Sequence, residues 1–335
     1  MPKRKPKTLR LSKRHLALTL VTLFVGGLVI GCAALAYIFV AFPALHARGP
    51  AVAGTDIERW VAPVHIAGAP AEPAVIAPYG LLVDVETGTI LWERASAVPR
   101  PLASLTKLVT TGAYMATHPN LEQTFLVPAS FNTSGIANVV EPGDSVSRLN
   151  VQAGERLTQH NLLFASLISS ANNAAIALAR SASVTVDQLQ QFAETHGATT
   201  ARIVEPSGLS PINVGSAQDV AVLANVAFTN PVIRQAAGLA AYRITTGAGR
   251  LLTIRSTNQL IGRDGYRVVA GKTGYLVEAG YNLAVLAESN GREVLLVLLG
   301  APTAEDRFAD ADALLTWVYD AFAWQEQQGG AILPL

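Results

Sequence analysis

Ser104 and Lys107 stand three residues apart in Ser104-Leu105-Thr106-Lys107, a spacing that could support acyl transfer. A serine hydroxyl is a poor nucleophile until a neighbouring base takes its proton. On a helix, side chains at i and i+3 share a face and can meet. A lysine serves as that base when burial or a nearby positive charge lowers its pKa. A helix N-terminus adds partial positive charge and free backbone N–H groups, which suit a developing oxyanion. Alone, the pattern says little. It arises by chance about once in a few hundred residues, and a helix N-cap followed by a solvated lysine explains the same four letters.

Other routes to catalysis are missing from the chain. It has no GxSxG elbow, no HExxH, no phosphate-cradling glycine loop, a single cysteine, and six scattered histidines without metal-ligand spacing. Neither a metal nor a cofactor is expected. Two further clusters do stand out. Ser170-Ala171-Asn172 forms a polar corner inside an otherwise apolar helical stretch, where polar groups need a reason. Gly271-Lys272-Thr273-Gly274 falls on an expected strand.

The order SxxK, SxN, KTG is the set found in penicillin-binding proteins and class A β-lactamases. With it, the chain resembles the low-molecular-mass penicillin-binding proteins, the serine D-alanyl-D-alanine carboxypeptidases. The resemblance runs over roughly 77–324. It takes in YGLLVDVETGTILWER, PLASLTKL, SSANNAAIALA, the PSGL at 206–209, GKTGYLVEAGYNL and RFADADALLTW.

The resemblance implies a role for each matching position. Ser104 would attack the carbonyl between two D-alanines while Lys107 accepts its proton. Ser170 and Lys272 would relay a proton to the departing amine, and Asn172 would contact the substrate amide. Backbone N–H groups of Ser104 and Tyr275 would form the oxyanion hole. Thr273, next to Gly274, would bind the terminal carboxylate, which Arg307 would also face; an exposed residue at a helix start is the plainer reading of Arg307. Partners would be peptidoglycan stem peptides, with β-lactam antibiotics as covalent inhibitors.

The expected activity is removal of the terminal D-alanine from pentapeptide stems, with DD-endopeptidase cleavage of cross-links as the alternative. A β-lactamase fits less well, because the middle motif is SAN rather than SDN and no deacylating glutamate is evident. A non-catalytic penicillin- or peptidoglycan-binding sensor is disfavoured by the intact nucleophile, lysines and asparagine.

The elements that must position these residues follow from texture. YGLLVDVETGTILWER reads as a hairpin about Glu86-Thr87-Gly88, and SLTKLVTTGAYMAT as a helix of mediocre propensity. The stretch 158–181 reads as two helices meeting at the Ser169–Asn173 corner, and 186–238 as a second helical set. YRVVAGKTGY, YNLAVLAES and EVLLVLLGA read as strands, the last two joined tightly at Ser289-Asn290-Gly291-Arg292. Thr303 with Asp306 resembles a capping box opening a helix to about Trp324. The expected class is α+β: an antiparallel sheet that unites both ends of the sequence, flanked by helices, with an inserted helical lobe.

Composition adds a location. Of 25 Lys and Arg, seven precede His15 and no acid does, so the remainder carries 18 basic against 24 acidic residues, a net of −6. A mildly acidic body offers no electrostatic case for nucleic acid. No charged residue occurs over 16–42, a run longer than the ~20 apolar residues a spanning helix needs. The expected layout is a basic cytoplasmic segment (1–15), a transmembrane helix (16–42), an Ala/Pro-rich linker (43–76) with a short strand near 60–66, the catalytic domain (77–325) and a tail (326–335). The positive-inside rule puts the catalytic part outside the cell membrane. Val29-Ile30-Gly31-Cys32 vaguely resembles a lipoprotein processing site, but the apolar run continues past Cys32, which favours an uncleaved anchor. The anchor would replace the β-rich C-terminal domain and amphipathic tail of several relatives.

Overall fold

Arg267–Leu276, Gly280–Ser289 and Arg292–Ala301 are apolar along most of their length, and the middles of all three are buried. Such runs suit strands covered on both faces. The period of two then sorts their side chains. Leu295, Val297 and Leu299 point into a core shared with the helical lobe. Val294, Leu296 and Leu298 point into a second core with Phe308, Leu314 and Val318. Each fully buried Leu or Val there contributes roughly 1.5–3 kcal/mol.

The computed structural model describes residues 61–133 and 147–324. In chain order, β1 (Val64–His65) precedes the hairpin of β2 (Tyr79–Asp84) and β3 (Ile90–Arg94). Strand β4 (Arg100–Pro101) leads through a 3-10 turn (Ala103–Leu105) into α1 (Thr106–Ala116). Strands β5 (Thr124–Leu126) and β6 (Arg156–Thr158) pair with each other. Helices α2 (Gln159–Ile168), α3 (Asn172–Ser181) and α4 (Val186–Thr195) follow. Strand β7 (Val214–Gly215) returns to β4, ahead of α5 (Ala217–Thr229) and α6 (Pro231–Gly238). The hairpin β8 (Ala241–Thr245) and β9 (Leu251–Arg255) precedes the three long strands, β10 to β12 in sequence order. Helix α7 (Ala304–Ala321) and β13 (Phe322–Ala323) end the described chain.

The main sheet has the order β10-β11-β12-β2-β3, antiparallel throughout, so both ends of the sequence meet at the β12–β2 pairing. The α+β expectation therefore holds, inserted helical lobe included. The β11–β12 turn places Asn290 at φ 51° and Gly291 at φ 76°, the left-handed pair that a tight hairpin favours. Thr158, Thr185, Ser216, Asn230 and Thr303 cap the starts of their helices, each cap worth about 1 kcal/mol.

Three expectations need adjustment. The β8–β9 hairpin was not anticipated: its exposed edges give only a weak alternation around Thr246-Gly247-Ala248-Gly249. Helix α7 stops at Ala321 rather than near Trp324, because Phe322–Ala323 pair with β1. The end of the expected linker is no free stalk. Trp317 donates to the Pro70 carbonyl, Trp92 donates to Glu72, and the buried Asp310 carboxylate accepts from the backbone N–H groups of Ile76 and Ala77 at 2.7–3.0 Å.

The expected basic segment (1–15), the expected transmembrane helix (16–42), residues 43–60 of the expected linker and the expected tail (326–335) lie outside the described residues. Among the described residues, no helix is long and apolar enough to cross a membrane.

Asp310 ties the entering chain to α7 through charge-assisted bonds, which are stronger than neutral ones. Asp310→Ala strands two backbone donors and is expected to cost about 2–4 kcal/mol in urea unfolding. A loss below about 0.5 kcal/mol would refute this anchoring role.

Candidate active site

The nucleophile turn is strained and gripped from three sides. Ala103, just before Ser104, has φ 49°, a left-handed conformation that costs a non-glycine residue about 1 kcal/mol or more and persists only where the surroundings enforce it. Here they do. The Asn282 amide, wholly buried, donates to the carbonyls of Pro101 (2.9 Å) and Leu102 (3.2 Å). The Leu102 N–H donates to the Asn213 carbonyl at 2.8 Å. Gly208, at φ 84°, lies so close that an added Cβ would sit 2.0 Å from the Ala103 carbonyl oxygen. On the β10 side, a Cβ at Gly274 would lie 3.0 Å from the Leu102 oxygen and 3.2 Å from the Ser104 nitrogen. Glycine at 274 therefore lets the edge strand β10 press against the nucleophile's own N–H.

Lys107 is fully buried one helical turn beyond Ser104. Its Nζ lies 2.9 Å from Ser104 Oγ, 2.7 Å from Asn172 Oδ1 and 2.5 Å from the Ser207 carbonyl oxygen. Two of these three partners can only accept. A neutral amine has two hydrogens and one lone pair, so Asn172 and Ser207 take both hydrogens. The lone pair is left for the Ser104 hydroxyl. Burial draws Lys107 down to about 7, against an opposing pull from the Glu205 charge. Near neutrality the amine can therefore accept a proton.

The second cluster surrounds Lys272, also buried. Its Nζ donates to Ser170 Oγ and to the Thr273 carbonyl, each at 2.8 Å. Ser170 sits in the corner between α2 and α3 at φ 58°, a second strained non-glycine residue beside the site. That corner is tied down by Asn172 N–H to the Ser147 carbonyl and by both amide groups of Asn173 to Leu149. Burial first, then the charges of Lys107 and Arg307, hold Lys272 well below the usual lysine range. The Thr273 hydroxyl is 2.6 Å from that of Thr257.

Arg307 is 6% exposed, which rules out the plainer reading of a solvated residue at a helix start. It donates to the carbonyls of Asn282 (3.1 Å) and Gly274 (3.3 Å), and its Nε has no hydrogen-bond partner in the structure. Its guanidinium lies over Tyr281, which stacks at 4.3 Å on the half-exposed Tyr275. Residues 104, 107, 170, 172, 272, 273 and 274 thus converge on one cleft, while Arg307 supports β10 from behind.

Sequence reading passed over Glu205, Asn213, Asn282 and Thr257. Asn282 and the PSGL loop lie inside segments quoted for their resemblance, yet only packing reveals that they hold the nucleophile turn. For Thr257 no sequence signal was present.

Comparison with known proteins fits this geometry. A family model described as D-alanyl-D-alanine carboxypeptidase matches residues 66–303. The D-alanyl-D-alanine endopeptidase of Escherichia coli is 28% identical over 252 residues, covering 74% of this chain and 78% of its own. The D-alanyl-D-alanine carboxypeptidase DacB2 of Mycobacterium tuberculosis is 28% identical over 241 residues, covering 68% and 78%. The crystal structure of a Streptomyces DD-transpeptidase has the same fold, with a TM-score of 0.68 at 24% identity over 75% of this chain and 99% of the other. With its two buried lysines set beside a strained serine turn, this chain belongs to the D-alanyl-D-alanine carboxypeptidase family of serine peptidases, the low-molecular-mass penicillin-binding proteins.

Proposed function

We propose that the protein removes the terminal D-alanine from peptidoglycan pentapeptide stems through an acyl-enzyme on Ser104. The observation that carries this reading is the Lys107 amine, held by two pure acceptors so that its free lone pair meets Ser104 Oγ. In the proposed cycle the Ser104 hydroxyl gives its proton to Lys107 as Oγ bonds to the carbonyl carbon of the penultimate D-alanine. The oxyanion forms beside the Ser104 and Tyr275 N–H groups; losing one such donor typically costs 10²–10³ in rate. The C–N bond then breaks, and the departing amine takes a proton through Ser170 and Lys272. Asn172 holds the substrate amide, while Thr273 receives the terminal carboxylate, with the positive charge of Arg307 behind the strand. Water hydrolyses the ester and restores Ser104.

A second reading is DD-endopeptidase cleavage of cross-links, favoured by the Escherichia coli relative of that activity. The same residues serve both reactions, so products must decide. Ser104→Ala is expected to abolish D-alanine release from pentapeptide muropeptides. If the intact protein frees no D-alanine from any pentapeptide yet cleaves cross-linked dimers, the second reading replaces the first.

The anchor belongs to the same proposal. Seven basic residues before His15, followed by an uncharged run over 16–42, support a single-pass helix with a cytoplasmic N-terminus and the catalytic unit outside. Peptidoglycan and β-lactams would meet the site there.

Two predictions follow from the site's geometry. Lys107 must be neutral to accept a proton, and the neutral fraction grows as pH rises through about 7. Acylation of Ser104 by benzylpenicillin should therefore fall about tenfold per pH unit well below 7 and level off above it. A flat profile from pH 5 to 8 would refute the lysine as base. Gly208→Ala forces a methyl group into the Ala103 carbonyl, so it should slow acylation at least tenfold at every pH while leaving that midpoint in place, as stopped-flow fluorescence would report.

A further inference from the structure

The loop 205–210 is built around one carboxylate. Glu205 Oε2 accepts from the Ser207 N–H (2.7 Å) and hydroxyl (2.5 Å). Its Oε1 accepts from the Gly208 N–H (2.5 Å), the Ser210 N–H (3.3 Å) and the Asn213 amide (2.8 Å). A surface loop does not need five donors on one side chain. The yield is the placement of the loop's own groups. The Ser207 carbonyl is turned onto Lys107 Nζ, the Pro206 carbonyl receives the Thr110 hydroxyl at 2.7 Å, and Gly208 is pressed against Ala103. The loop is thus clamped to both members of the Ser104–Lys107 pair.

We infer that Glu205 is a positioning residue and the counter-charge of the lysine base, stabilising the ammonium that Lys107 becomes when Ser104 gives up its proton. This rests on the reading of Lys107 as base. Lys107 is fully buried, so the charge of its protonated form must be met largely by protein groups. Around Lys107, α3 contributes the uncharged Asn172 and β10 contributes Lys272, a like charge with Arg307 behind it. Among the described residues, the 205–210 loop contributes the one carboxylate whose charge opposes the effect of burial on Lys107. Asn172 and Ser207 supply only dipoles. Among the described residues, Glu205 therefore fills a need that no other group around Lys107 meets.

Glu205→Gln keeps the side chain's size and removes its charge. The test is the second-order rate of Ser104 acylation by benzylpenicillin, followed from pH 5 to 9 on the full-length chain. The wild-type midpoint near 7 is expected to fall by about one pH unit in the variant, a tenfold change in free amine at low pH. The plateau rate should drop several-fold as the base weakens. A merely structural role would lower the rate at all pH values with an unmoved midpoint, and that result overturns the inference. If Glu205→Gln does not fold, Glu205→Asp withdraws the charge by one carbon: a lowered midpoint supports the inference, and an unchanged or raised one overturns it. Absence of acylation in the wild type would instead sink the reading of the site itself.

Discussion

Two lysines share one buried site, at 0% and 1% exposure, and much of the surrounding architecture can be understood as the cost of keeping them there. A buried ammonium is expensive, and two close together repel in a medium that screens poorly. The protein meets this by leaving the amines close to neutral and giving every hydrogen an acceptor. Those acceptors come from α3, from the α2–α3 corner, from β10 itself and from the Glu205 loop. No local segment could supply them. The site exists only once the helical lobe and the sheet have closed on each other.

Closure in turn explains where strain and glycine occur. Ala103 and Ser170 both adopt left-handed backbone conformations, the first directly before the nucleophile and the second bonded to Lys272. Gly208 and Gly274 allow the loop and the strand to approach the nucleophile more closely than any side chain permits. Packing above and below holds the strained turn: Asn282 bonds it to β11 while Asn213 fastens it to the loop. The rigid sheet and the Glu205 loop therefore act as two jaws on one turn.

Much of this was legible in the sequence, for identifiable reasons. Near-continuous apolar runs marked the doubly covered strands, Asn290-Gly291 marked their hairpin, and Thr303 with Asp306 marked the last helix. The reacting residues were legible because their types and order are distinctive. The supporting residues were not, because an asparagine such as Asn282 or a glutamate such as Glu205 is ordinary until its partners, here 180 and 2–8 residues away, are known. The β8–β9 hairpin escaped for a different reason: it has one buried position per strand, too few to set a period. The anchoring of residues 64–76 escaped as well, since Ala and Pro in that stretch conceal backbone bonds to Asp310 and β13.

The two lysines also differ in a way that bears on the proposed cycle. Lys107 is brought to about 7, with Glu205 opposing its burial, whereas burial and the charges of Lys107 and Arg307 all hold Lys272 well below the usual range. Environments that push two titrating groups apart assign them different tasks. A proton leaving Ser104 goes to Lys107, whose Nζ lies 2.9 Å from the hydroxyl, and once there it makes Lys272 harder still to protonate. The pair therefore titrates as a unit, a charge on Lys107 disfavouring a second one on Lys272. The proton taken from the nucleophile and the one delivered to the departing amine can then be balanced inside the cleft, with Ser170 and Lys272 as the exit side and no external acid required. On this account the burial of two lysines, costly for the fold, is what makes a closed proton cycle possible.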